Sequence, residues 1–235
     1  MSLFLASVTN LEEANIALEF GADVVDLKLP EQGALGALPV STIVQIVEFI
    51  ASRKIVSATV GDLPMQPEIL LDAVEAVAAT GVDMVKIGFF ASSRHQQCVQ
   101  ALQPVTQRGI KLIAVLFADS AISINDLAIF STAGFYGVML DTASKNGKSL
   151  RDCLASSVIA DFVNEAHRLG LFVGLAGSLQ YADIAPLSAL QPDYLGFRGA
   201  LCVDRQRTMS LERQRMQNVH HLLRKCHEAD WLVAA

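Results

Sequence analysis

The chain has 235 residues, a formal net charge of −6, and 52% apolar, 18% charged and 6% aromatic residues. That acidic balance argues against a nucleic-acid surface or an anionic membrane as partner. Mean hydropathy is +0.40, yet no stretch reaches the ~18 uninterrupted apolar residues of a spanning helix; "MSLFLASVTNLEEA" also lacks the basic start of a signal peptide, so a cytoplasmic protein is expected.

Taken in chain order, β-like runs alternate with helix-length amphipathic segments. The runs are LFLASV (3–8), VVDLKL (24–29), IVSATV (55–60), MVKIGFF (84–90), KLIAVLF (111–117), YGVMLDT (136–142), LFVGLAG (171–177) and YLGFRG (194–199). Helices are predicted over 10–20, 40–53, 67–80, 93–108, 124–133, 149–169, 182–190 and 208–228. Gly or Asp punctuates many strand entries, as in "EFGAD", "ATGVD" and "QPDYL". Strict alternation over this length predicts an α/β fold, a single (β/α)8 TIM barrel spanning 1–235. The rival is an open doubly wound sheet, but no GxGxxG follows the first run.

In a barrel the chemistry gathers at the C-terminal ends of the strands. Side chains alternate along a strand, so apolar residues facing the helices set the parity. In the second run Val25, Leu27 and Leu29 face out, leaving Asp26 and Lys28 inside. In the fourth, Val85, Ile87 and Phe89 face out and Lys86 faces in beside Gly88; in the sixth, Val138 and Leu140 face out and Asp141 faces in. These runs have the same parity around the barrel, so Asp26, Lys28, Lys86 and Asp141 are expected to converge. A buried ammonium is costly unless it is paired or deprotonated. Two lysines in one pocket favour a neutral amine on one of them, which imine formation with a carbonyl requires. The competing explanation is structural, each lysine pairing with a buried aspartate.

The third run sends Ser57 and Thr59 inward, with Asp62 after it. "DTASKNGKSL" (141–150) contains NGKS, but position 142 is Thr, so it is no P-loop. It reads instead as an active-site loop carrying Lys145 and Lys148, with Ser149 capping the next helix. "LAGSL" (175–179) and "GFRGAL" (196–201) follow the seventh and eighth runs, where barrels commonly bind phosphate. Gly177, Ser178, Arg198 and Gly199 are the candidate phosphate ligands. Arg205, Arg207, Arg213 and Arg215 read first as a solvated face and second as a contact between copies. The four cysteines show no metal-site spacing with the histidines. No metal and no cofactor are expected; the expected partners are a small phosphorylated substrate and further copies of the chain as a homo-oligomer.

Together, "DVVDLKLPEQGALGA", "VSATVGDLP", "MVKIGFF", "GVMLDTASKNGKSL", "GLAGSL" and "DYLGFRGALC" resemble the (5-formylfuran-3-yl)methyl phosphate synthase family, in order from about residue 3 to residue 205. The resemblance implies a barrel lyase of methanofuran biosynthesis, a pathway of methanogens and of bacteria that oxidise one-carbon compounds. Such an enzyme condenses two glyceraldehyde 3-phosphates with loss of phosphate and water. The family's imine-forming lysine falls on Lys28, its proton-transferring lysine on Lys86, and its strand-six aspartate and the lysine four residues later on Asp141 and Lys145. The alternative is another class I (Schiff-base) aldolase acting on a phosphorylated aldehyde. Less favoured are a non-imine barrel isomerase and a non-catalytic subunit of the pathway.

Overall fold

Parallel strands close into a barrel in the computed structural model, which describes residues 2–120, 124–144 and 148–234. They are β1 (Leu3–Val8), β2 (Val24–Leu27), β3 (Ile55–Thr59), β4 (Met84–Gly88), β5 (Lys111–Phe117), β6 (Gly137–Asp141), β7 (Phe172–Leu175) and β8 (Tyr194–Phe197). Each pairs with the next in sequence, and β8 returns to β1 with Leu3 opposite Tyr194 and Leu5 opposite Gly196. The helices are α1 (Leu11–Glu19), α2 (Val40–Ile50), α3 (Pro67–Ala78), α4 (His95–Gln107), α5 (Leu127–Thr132), α6 (Leu150–Cys153), α7 (Ser156–Arg168), α8 (Tyr181–Ser188) and α9 (Arg213–Ala234). No helix among the described residues is long and apolar enough to cross a membrane.

Two apolar layers follow from the alternation along each strand. Val25, Leu27, Val85, Ile87, Val138 and Leu140 belong to the layer between barrel and helices. Burying each such side chain contributes about 1.5–3 kcal/mol. Leu5, Val24, Met84, Ile113, Val115 and Met139 form the separate interior layer. Tyr194 joins them, stacked on Phe172 at 5.2 Å and occupying the space a side chain at Gly174 would need. These side chains fill the lower half of the barrel interior, and the cavity that holds the inward polar residues opens at the C-terminal ends of the strands.

The Asp residues before alternate strands have a definite task. Asp23 accepts from Phe4 N–H at 3.0 Å, Asp83 from Val56 N–H at 2.8 Å and Asp193 from Val173 N–H at 2.6 Å. Each carboxylate, at the entry to an even-numbered strand, satisfies the start of the preceding odd one. Left unpaired, a buried N–H costs about 1–3 kcal/mol.

Two predicted helices differ most from those observed. The segment 149–169 breaks at Leu154 and Ala155, both extended, into α6 and α7. Asp152 accepts from Ser149 N–H at 2.7 Å and Leu150 N–H donates to the Gly177 carbonyl at 2.9 Å, so α6 is tied to the loop after β7 while α7 packs along the barrel. The last helix starts at Arg213 rather than near 208, because residues 199–212 form an irregular strap pinned by a bridge between Cys202 and Leu211.

Candidate active site

The cavity at the C-terminal mouth encloses about 400 Å³ and is lined by Lys28, Lys86, Asp141, Gly177, Ser178 and Gly199, among others. Asp26 and Lys28 come from β2 and its exit, Lys86 from β4, and Asp141 from the end of β6. Parity alone turns all four inward. Lys86 is 1% exposed and Lys28 7%.

Lys86 Nζ lies 3.0 Å from Asp26 Oδ2. Asp26 is fully buried and also accepts from Ser7 Oγ at 2.9 Å and Ser57 Oγ at 2.6 Å. Burial by itself raises its pKa, but the charges of Lys86 and Lys28, with hydrogen bonds from Ser57 and Lys86, outweigh burial and hold the carboxyl below its usual range. Asp26 is thus an anion in a dry place, held by Lys86 and by the two serine hydroxyls. Lys28 Nζ lies 3.7 Å from Asp141 Oδ2, a looser pairing, and both lysines line the cavity. Asp141 also accepts from Thr142 N–H at 2.7 Å, which fixes its rotamer.

The loop after β7 makes a different kind of site. Gly177 (φ 103°) and Ser178 (φ 50°) turn the chain through left-handed conformations. A Cβ at Gly177 would come 2.9 Å from Thr142 Cγ2, so glycine is needed for both angle and space. Backbone N–H groups of Gly177, Ser178, Leu179 and Gly199 have no acceptor among the described residues, and all four line the cavity. Consecutive free N–H groups around such a turn form an anion-binding nest.

Arg198 behaves differently from its sequence expectation. Nη1 and Nη2 meet Glu13 at 2.6 and 3.2 Å, Nη1 also meets Ser7 O at 3.1 Å, Nη2 meets Met209 O at 2.9 Å, and Nε meets Arg207 O at 2.8 Å. These contacts engage all five N–H donors of a guanidinium, leaving none for a forked grip on phosphate. Arg198 is a positioning residue that joins β8 to α1 and to the strap. Glu13 completes the hub, accepting from Thr9 N–H at 2.8 Å and Leu211 N–H at 3.1 Å.

Asp62 does not join the cluster either: it accepts from Ala34 and Leu35 N–H at 2.8 and 2.7 Å and shapes the loop after β2. Thr59 Oγ1 donates to the Gly36 carbonyl at 2.9 Å in the same loop. Lys145 lies outside the described residues, and Lys148 is exposed. The arginine run divides: Arg213 pairs with Glu19 and Arg215 with Glu212, both at 2.5 Å, whereas Arg205 and Arg207 line the cavity mouth. Ser7, Glu13 and Arg207 were not foreseen as site residues. Ser7 has the inward parity of Leu3 and Leu5 and was legible on that ground; Glu13 and Arg207 carry no local signal.

Comparison with known proteins gives a consistent family. Residues 4–220 match the family model described as 4-HFC-P synthase. A protein named (5-formylfuran-3-yl)methyl phosphate synthase from Methanopyrus kandleri is 34% identical over 238 residues, covering 96% of this chain and 97% of the relative. Its namesake from Methanocaldococcus jannaschii is 36% identical, with 85% and 90% covered. A Methylorubrum extorquens relative, to which that name is attached provisionally, is 38% identical, with 96% and 93% covered. Among solved structures, phosphoribosyl anthranilate isomerase from Thermus thermophilus superposes with a TM-score of 0.69 at 15% identity, covering 96% of this chain and 99% of that one. The 3-hexulose-6-phosphate synthase of Salmonella typhimurium gives 0.65 at 14%, with 96% and 100% covered. At those identities the likeness is one of fold.

Proposed function

Since this chain belongs to the 4-HFC-P synthase family, we propose that it is a lyase converting two glyceraldehyde 3-phosphates into (5-formylfuran-3-yl)methyl phosphate through an imine on Lys28, as a step of methanofuran biosynthesis. The observation that carries this reading is a shared cavity holding two buried lysines, each beside its own carboxylate: Lys86 at 3.0 Å from Asp26 and Lys28 at 3.7 Å from Asp141. The two pairs are not equivalent. Lys86 is held by a fully buried anion at 3.0 Å, whereas Lys28 pairs more loosely with Asp141 and is the more exposed of the two, so Lys28 is the better nucleophile and Lys86 the better proton carrier.

In this mechanism the Lys28 amine adds to the aldehyde carbon of one triose phosphate and water leaves. The imine acidifies the adjacent C–H, and Lys86, assisted by Asp26, moves that proton. Phosphate departs from the next carbon as the enamine rearranges, and the cavity's cations stabilise the charge growing on the leaving oxygen. Carbon–carbon bonding to the second triose, dehydration and ring closure then give the furan, and hydrolysis frees Lys28. The turn at Gly177–Leu179 is the proposed seat of one substrate phosphate. Asp141 orients Lys28, and Lys145 is assigned a supporting role by the family pattern. The imine itself serves as electron sink, so the reading needs no metal or organic cofactor.

Borohydride added during incubation with glyceraldehyde 3-phosphate is expected to fix a triose-derived mass on the Lys28 peptide. Product absorbance and phosphate release should vanish in Lys28→Ala. Lys86→Ala should slow turnover by about 10²–10⁴-fold, the usual worth of a proton-transfer group. Full activity in Lys28→Ala with no adduct in the native protein would sink the mechanism. An adduct without phosphate release would favour an imine aldolase of other specificity.

A further inference from the structure

Arg207 lies within the basic run that reads as a solvated face, yet it is only partly exposed and lines the same cavity as Lys28 and Asp141. Its backbone is anchored on the β8 side, where its carbonyl accepts from Arg198 Nε at 2.8 Å. The side chain crosses to the loop after β2. There Nη2 donates to the Pro30 carbonyl at 2.6 Å and to the Gly33 carbonyl. Gly33 has φ 112°, and a Cβ there would fall 2.0 Å from Asp62 Oδ2, so only glycine allows the loop to present that carbonyl. Asp62 holds the following two N–H groups. The guanidinium is therefore clamped in place by a loop built around it.

What the clamp leaves open is the informative part. Among the described residues, Nε and Nη1 of Arg207 have no acceptor, and no carboxylate lies within ion-pairing distance. Burial pushes its pKa down against the more distant pull of Asp141, Asp62 and Glu31. A fixed, partly desolvated cation with unused donors has a cost that an incoming anion would offset. The backbone nest at Gly177–Leu179 belongs to β7, whereas the clamp belongs to β2. Two strands, β8 and β1, stand between them around the closed wall, a separation of three strand spacings at about 4.8 Å each.

We infer that Arg207 is the phosphate-recognition residue of a second anion subsite on the β2 side of the cavity, distinct from the nest after β7. This deepens the proposed function and rests on it: two trioses bring two phosphates, and the nest accommodates one. Arg198 and Glu13 act here as positioning residues, since they fix the strap that carries Arg207.

Inorganic phosphate is the probe, titrated calorimetrically into the full chain and into Arg207→Met and Arg207→Lys, with Arg213→Met on α9 as a surface control. The native protein and the control should take up two phosphates per chain, and Arg207→Met should lose one of the two by at least tenfold in affinity. Arg207→Lys keeps the charge without the planar spread of donors and should weaken that site at least threefold, which decides the matter should the methionine variant fail to fold. A role confined to tethering the β2 loop would lower the melting temperature and leave the phosphate isotherm unchanged. That result, or a native protein that takes up no phosphate, overturns the inference. Phosphate release from glyceraldehyde 3-phosphate, measured on the same native sample, reports separately on the proposed function. Its absence beside an Arg207-dependent phosphate site would sink the reaction and leave the subsite standing.

Discussion

Asp26 is the residue on which the cavity's charge balance turns. It is fully buried, and it accepts from Lys86, Ser7 and Ser57 at 3.0 Å or less. Replacing it by asparagine keeps the shape and leaves Lys86 an unpaired buried cation, a loss of about 3–5 kcal/mol in similar cases. The pH dependence has a definite sign. The folded carboxyl titrates below its unfolded value of 3.8, so the folded state binds that proton more weakly than the unfolded chain. Its stabilisation is complete above pH 3.8 and fades as pH falls from there through the folded value. Urea unfolding of the native protein and Asp26→Asn should therefore differ by a constant amount from pH 5 to 7 and converge below pH 3.8. A gap that widens on acidification would refute the assignment of Asp26 as an anion.

Among the elements, the strap at 199–212 matters most, because it has little regular structure of its own and still walls the cavity. Its conformation depends on the Glu13–Arg198 pair, whose members are 3% and 8% exposed, and on carbonyls of Arg207 and Met209 that accept from Arg198. Asp204 and Arg205 sit at φ 51° and 58°, conformations that side chains tolerate poorly without support. Arg198→Met or Glu13→Gln should thus lower stability by about 3–5 kcal/mol and open the exposed Arg205 peptide bond to trypsin well before the barrel is cut. Stability within 1 kcal/mol of native and unchanged cleavage would show that the strap stands without its hub. The Asp residues at strand entries are a second device of this kind. "EFGAD" and "QPDYL" advertise a turn, but the partner strand's N–H that each carboxylate satisfies belongs to an element about twenty residues earlier.

The whole molecule is a closed cylinder, and its site draws on β1, β2, β4, β6, β7 and β8 at once. Closure depends on β8 returning to β1, and chains cut open there expose two unpaired edges. Truncation after residue 190 should consequently abolish cooperative unfolding. In the intact chain, enzymatic activity and far-ultraviolet ellipticity should disappear at one urea midpoint. Activity lost at a clearly lower midpoint would mean that the mouth loosens before the barrel does.

The barrel, the parity of its strands and the inward set Asp26, Lys28, Lys86 and Asp141 are readable from the chain because a two-residue alternation and a strand–helix rhythm are local properties. Ser7 belongs to that same legible class. The candidate phosphate residues split along the same line: the turn at Gly177 and Ser178 shows itself by composition, since left-handed backbone favours small residues. The two arginines are where local reading stops: Arg198, read as a phosphate ligand, has its donors engaged within the protein, and Arg207, read as part of a solvated face, lines the cavity. An arginine's role depends on which acceptors lie within reach of a long side chain, and Glu13, Ser7, Pro30 and Gly33 are all more than 170 positions away in sequence. Only closing the cylinder brings those acceptors to the guanidinium groups, and that closure decides which one is fully engaged within the wall and which one, among the described residues, keeps donors unused.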